Sequence, residues 1–148
     1  MIRSATTDDI DAIVGLGARF ANLHPLRPVC RPGPIRETIE RLLTKGQCVK
    51  VAESDGVIVG AILGIESTYW FDPTVAVAME LAWWIDDRVR NSGVGIRLLR
   101  AFEVWAATTD AQVLVLSDMV GRDGEPMLGD LTTRLGYRLT ERSHVKTI

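Results

Sequence analysis

The sequence predicts an α/β fold, built on a central mixed sheet of about six to seven strands with about four flanking helices. Three observations carry this. Apolar runs suited to buried strands alternate with stretches whose apolar residues recur at helical spacing. One run, Ala78 to Ile85, leads through a turn to an amphipathic helix and then to a second short apolar run, the spacing of a parallel βαβ crossover. Finally, 148 residues with 47% hydrophobic content suit one domain with its own core, and no linker or low-complexity tract divides residues 1–148.

Taken in order, Ile2 to Ala5 alternates as a short edge strand. Thr6-Thr7-Asp8-Asp9 then offers a hydroxyl cap with acidic residues in a first helical turn, and Ile10, Ile13, Val14, Leu16, Gly17 and Phe20 follow at helical spacing. From His24 to Pro34 four prolines exclude regular structure. Such a connector lies on the surface, where His24, Arg27 and Arg31 either meet a substrate or are simply solvated. A second helix is expected over Ile35 to Thr44.

Val49 to Glu53 and Val57 to Ile65 read as two strands joined by an Asp55-Gly56 turn. The second is apolar on both faces, which places it centrally; Gly60 and Gly64 within it mark bulges or close packing. Tyr69 to Pro73 is an aromatic loop. In the next strand Trp83 and Trp84 project to opposite faces, bordering a groove or packing in the core. Gln112 to Ser117 is a short buried strand, Glu125 to Leu135 a last helix, and Gly136 to Leu139 a final strand, with Ser143 to Lys146 a terminal segment whose strand is expected to return beside the site.

The stretch from Ala78 to Leu99 organises the rest. It is a buried-strand run, then a turn over Asp86 to Ser92, then from Gly93 a helix in which Val94, Leu98, Phe102 and Trp105 share a face. The loop carries Arg90, Asn91, Ser92 and two glycines, so backbone N–H groups converge where a helix start supplies unsatisfied donors and positive partial charge. That is a cradle for a diphosphate. A dinucleotide fingerprint would need a third glycine at Leu98, and a phosphate loop would end in Gly-Lys-Ser/Thr; neither is present.

Arg90-x-x-Gly93-x-Gly95, after a strand and opening a helix, resembles the acetyl-coenzyme-A pyrophosphate loop of the GCN5-related N-acetyltransferase (GNAT) family. Similar features lie elsewhere: the Ile2-Arg3 opening with its acidic pair, Ala52-Glu53-x-Asp55-Gly56 before Val59-Gly60, and Arg134-Leu135-Gly136-Tyr137 in place of the family's Lys-Leu-Gly-Phe. The resemblance implies a sheet that splays between two central strands, with coenzyme A wedged in the gap. It implies that acetyl-coenzyme A is a co-substrate, its diphosphate held by Arg90, Asn91, Ser92, Gly93, Val94, Gly95 and Ile96. Its pantetheine would pair with the backbone of Trp84, Ile85 and Asp86. Glu80 lies where family members often keep a carboxylate that acts as base, and an unpaired carboxylate in an apolar run is costly unless it is bonded or working. The alternative for Glu80 is a structural partner to a strand or helix group. The implied reaction is direct acetyl transfer to a primary amine of a small molecule or protein; the alternative is a catalytically idle acyl-coenzyme-A-binding module acting through a protein partner. The family's usual tyrosine acid is replaced by Thr132 and its asparagine by Glu125, which leaves Tyr137, Ser117, His144 or water to protonate the thiolate.

Composition narrows the partners. A net charge of −2 argues against nucleic acid held by phosphate contacts. Arg88, Arg90, Arg97 and Arg100 instead crowd the proposed loop and helix, as suits a small polyanion. Cys30 and Cys48 read as reduced thiols, and with His24 and His144 they form no metal-ligand spacing, so no metal is expected. No apolar stretch approaches the roughly 18 residues of a membrane span. A cytoplasmic protein with no membrane partner is expected, and pairing through the C-terminal strand would make a homodimer.

Overall fold

The computed structural model describes residues 1–23, 32–119 and 127–144. Its elements are β1 (Ile2–Ser4), α1 (Ile10–Leu23), α2 (Pro32–Thr44), β2 (Cys48–Ser54), β3 (Val57–Thr68), β4 (Ala76–Ile85), α3 (Val94–Ala106), β5 (Val113–Val115) and α4 (Leu131–Arg134). Short 3₁₀ turns at Thr7–Asp9 and Asp87–Val89 precede α1 and follow β4. The strands lie in the order β1-β2-β3-β4-β5, antiparallel up to β4 and parallel between β4 and β5. The sheet is therefore mixed, with β3 central and α3 making the expected crossover.

Strand alternation divides the core into two layers. Val49, Val51, Ala61 and Trp84 pack with Ile10, Ile13 and Leu16 of α1 and Ile39 and Leu42 of α2. Cys48, Ala52, Ile62 and Ala78 pack with Leu98, Leu99 and Phe102 of α3. Neighbours Cys48 and Val49 thus go to opposite layers, as a period of two requires. Burial pushes the Cys48 thiol up to about 12, so it is an inert core group. The β2–β3 turn has Asp55 at φ 51° and Gly56 at φ 74°, the two left-handed residues of a tight hairpin.

At the N-terminus Thr6 caps the helix start in a capping box with Asp9, which adds a carboxylate to the expected hydroxyl. Asp9 accepts from the Thr6 backbone N–H at 2.8 Å and from two Arg3 nitrogens at 2.7 and 2.8 Å. Arg3 also donates to Glu53 at 2.8 Å, which ties β1, the helix start and β2 together. The Arg3 guanidinium, with help from the Thr6 N–H, holds the buried Asp9 carboxyl down at about 2.

Four expectations need correcting. Helix α2 starts at Pro32 rather than Ile35, because prolines in a first turn need no N–H partner there; residues 24–31 lie outside the described chain. Strand β5 spans Val113–Val115 rather than Gln112 to Ser117. Gly136 to Leu139 is not a strand, so the sheet has five strands among the described residues, fewer than expected. Of its apolar residues only Tyr137 finds cover, through a hydrogen bond from its hydroxyl to Glu103 at 2.9 Å, while Leu139 is 71% exposed. The last helix is described only over Leu131–Arg134; Glu125 and residues 145–148 are outside the described chain.

Candidate active site

The site grows out of a break in β4. Its first half is paired on both sides: Val77, Ala78 and Met79 meet Val113, Leu114 and Val115 of β5. Beyond Met79 the parallel ladder ends, while pairing with β3 continues to Ile85 opposite Gly60. At the same place the β3–β4 register slips, from Gly64 opposite Glu80 to Leu63 opposite Ala82, so Leu81 has no partner and is 45% exposed. This β-bulge changes which face each residue uses. Ala78 packs on the α3 side, whereas Trp84, of the same parity, packs on the α1–α2 side.

Glu80 stands at the break. It is 7% exposed, and its Oε2 accepts from the Ser117 backbone N–H at 3.1 Å, just past the end of β5. Its carboxylate thus spans the two strands where they part. Burial pushes the carboxyl up to about 7, and the Ser117 N–H pulls it partly back. A carboxyl poised near neutrality can exchange a proton in either direction. Gly64, opposite, is necessary: a Cβ there would overlap the Phe102 ring of α3.

Past Ile85 the chain turns over Asp87–Val89 and enters α3. Gly93 takes φ 76° as the residue before the helix, and Asn91 takes φ 65°, a conformation asparagine tolerates. The first helical bond runs from Arg97 N–H to Gly93 C=O at 3.1 Å. The N–H groups of Asn91, Gly93, Val94, Gly95 and Ile96 have no partner among the described residues, whereas that of Ser92 donates to Val89 at 3.2 Å. A helix start with this run of open donors is suited to a diphosphate.

Gly95 has a different purpose from the access inferred from sequence. A Cβ at Gly95 would lie 2.7 Å from Ile85 Cδ1 and 3.3 Å from Trp83 Cζ2, so its absence lets α3 settle against the end of β4. The expected sheet edge at Trp84, Ile85 and Asp86 is also divided. Asp86 N–H donates to Val59 C=O at 2.8 Å, so by antiparallel alternation Trp84 and Asp86 face β3. Among the described residues the open backbone groups belong to Ile85 and to Trp83, the latter missed by sequence reasoning; knowing the register would have found it.

Side chains at this end form a basic rim. The Asp86 carboxylate accepts from Arg88 Nε and Nη2 at 2.9 Å each and from the Arg88 N–H at 3.0 Å, with Arg19 of α1 at 3.6 Å. Hydrogen bonding to Arg88 holds that carboxyl well below the usual range. Arg90 pairs with Asp87 at 2.7 Å, and its guanidinium lies 5.3 Å from the centre of the buried Trp84 ring. Phe20 of α1 meets that ring edge-on at 5.6 Å and 71°.

Of the proton-donor candidates, the structure brings only Ser117 next to Glu80. Tyr137 is committed to Glu103 of α3, His144 is exposed, and Thr132 offers its carbonyl to Tyr137 N–H at 2.9 Å. His24, Arg27, Cys30 and Arg31 lie outside the described residues.

Known proteins bear on the fold and the family. The model of the acetyltransferase (GNAT) family matches residues 21–126. No curated protein sequence matches the chain. Among solved structures, the fold is similar to the apo aminoglycoside 6'-N-acetyltransferase AAC(6')-Ig of Acinetobacter haemolyticus, with 16% identity, a TM-score of 0.77 and coverage of 100% of this chain and 97% of that one. A predicted acetyltransferase of Clostridium acetobutylicum, solved with acetyl-coenzyme A, gives 13%, 0.77, 99% and 95%. An acetyltransferase of Trypanosoma brucei gives 16%, 0.73, 100% and 99%. At such identities the structural likeness is one of fold, and it is the family match across most of the chain that identifies it. The chain belongs to the GNAT family of acetyltransferases.

Proposed function

We propose that the chain is an N-acetyltransferase that moves an acetyl group from acetyl-coenzyme A to a primary amine of a small molecule or protein by direct attack. One observation carries this reading. A buried carboxylate, Glu80, stands where β4 loses its β5 partner, and the far end of the same strand opens onto a run of backbone donors at the start of α3. A diphosphate on those donors gains charge-assisted hydrogen bonds, and pantetheine amides can then pair with Ile85 and Trp83 as an added strand. That direction of travel leads the thioester toward Glu80.

The amine nitrogen attacks the thioester carbonyl carbon, forming the C–N bond while the carbonyl oxygen takes the charge. Glu80, ionised, removes the proton from nitrogen directly or through a water. Collapse breaks the C–S bond, and the thiolate leaves to take up a proton. A half-ionised carboxyl at neutral pH suits this step, since it is basic enough to accept a proton and is not already saturated.

Calorimetric titration with acetyl-coenzyme A, followed by a thiol-release assay over a panel of amines, tests the reading. Saturable binding and amine-dependent release are expected, with Glu80→Gln retaining the first and losing the second. Absence of saturable binding would falsify the proposal; binding with no release by any amine would favour the idle binding module instead.

A further inference from the structure

We propose that the Trp84 indole is a positioning residue for cofactor recognition: it holds the Arg90 guanidinium beside the open donors of the α3 start, where Arg90 meets the phosphates of acetyl-coenzyme A. This rests on the acetyl-coenzyme-A reading above. Because Trp84 turns its backbone groups to β3, any part it plays at the site passes through its side chain. That side chain is fixed. It is 7% exposed, sits in the core layer of α1 and α2, and is braced edge-on by Phe20.

Against this rigid ring lies the Arg90 guanidinium, 5.3 Å from its centre, the placement in which an indole face attracts a cation. Asp87 holds the Arg90 Nε from another side at 2.7 Å. An arginine free in solvent loses much rotamer entropy on meeting an anion; one already held on two sides loses less. The pair with Asp87 is exposed, at 77% for the aspartate side chain and 43% for the arginine, so it is screened and yields readily to a phosphate. Arg88, the neighbouring cation, is instead occupied by both Asp86 oxygens. Arg90 also directly precedes in the chain the open donors at Asn91 and Gly93 to Ile96, and on this reading its side chain meets an anion bound on them.

The readout is the ratio of kcat/KM for acetyl-coenzyme A to that for S-acetylpantetheine, which carries the same thioester and amides without phosphates. A general loss of folding or activity cancels in this ratio. Loss of the indole face in W84L is expected to lower the ratio about threefold to tenfold, and R90Q by a similar factor. W84L combined with R90Q is expected to be no worse than R90Q alone, since the ring acts through the arginine. Should W84L not fold, W84F decides: the weaker cation affinity of a phenyl ring lowers the ratio about twofold with Arg90 present and leaves it unchanged in R90Q. An unchanged ratio in W84L, or in W84F where W84L is not folded, overturns the proposal, as does a multiplicative effect in the double variant. If the native protein shows no acetyl-coenzyme-A binding at all, the function reading fails before any variant is made, and this inference with it.

Discussion

The two halves of β4 make contrasting use of the same kind of backbone. From Val77 to Met79 the strand has a partner on each side and its Val77 and Ala78 side chains are at most 1% exposed, as in a structural core. From Ala82 to Ile85 only β3 is paired among the described residues, which leave the other edge open beside the start of α3. Glu80 and the Leu81 bulge form the boundary. The lesson is that the doubly paired half is packed as core while the singly paired half carries the proposed site, so substitutions on the two sides should separate folding from acetyl transfer.

The largest effect is expected at the boundary itself. Glu80→Gln should lower kcat/KM by about 10²–10⁴-fold, measured by thiol release at pH 8, while acetyl-coenzyme-A binding persists. In the native protein the rate should climb with pH to a plateau above about 7, as Glu80 ionises. Stability should move the other way. Because the folded carboxyl lies at about 7 against an ordinary 4.5, the fold binds the proton more tightly than the unfolded chain, so its stability falls as pH rises between those values and is flat above. Denaturant titrations of Glu80→Gln should lack that slope, leaving the variant more stable than native at pH 8 by up to about 3 kcal/mol. A variant both inactive and less stable at pH 8 would erase the proposed boundary.

Next in size is Gly64→Ala, on β3 opposite Glu80, which forces the fully buried Phe102 ring aside and should cost about 3 kcal/mol by denaturant titration. Asp9→Ala, far from the open edge, should cost about 2 kcal/mol through loss of the cap and of the Arg3 pair, with no change in KM for acetyl-coenzyme A. The native stability from Asp9 is present above its ordinary 3.8 and fades as pH falls toward about 2. Smallest in stability is Gly95→Ala, about 1 kcal/mol, because the atom it meets first is the tip of Ile85. Its effect on acetyl-coenzyme-A affinity should be larger than its effect on melting, since it tilts the donors at the singly paired end. Equal effects there would blunt the contrast between halves.

Much of this was legible in the chain because local rules and tertiary structure agree. The Asp55-Gly56 hairpin needs two left-handed residues, and those are the residue types found. The strand, glycine loop and helix around Arg90 follow from one continuous change of periodicity. Glu80 stood out because a carboxylate in an apolar run is an exception that requires an explanation. What the sequence concealed depends on partners distant in the chain. Ser117 meets Glu80 through its backbone, which no side-chain pattern reveals. Asp9 is a cap whose strength comes from Arg3 on another element, and Tyr137 is held by a helix face rather than by a ladder. The division of the open edge between Trp83 and Ile85 required the register with β3, which residue types alone do not encode.

The unpaired Leu81 has a broader consequence for how β4 must be read. Its two halves are written one step out of phase, so a strict count of twos begun at either end assigns the other end to the wrong layer. Deleting that single residue would leave a regular ladder with its pairs kept, Gly64 opposite Glu80 and Leu63 opposite Ala82. Forcing Leu81 into regular pairing would instead swing Trp84 toward α3 and Trp83 toward α1 and exchange the aromatic contacts at both surfaces. An apparent irregularity is therefore a frame marker, and an alignment to an unbulged strand that leaves no gap at Leu81 would misplace every side chain from Ala82 to Ile85.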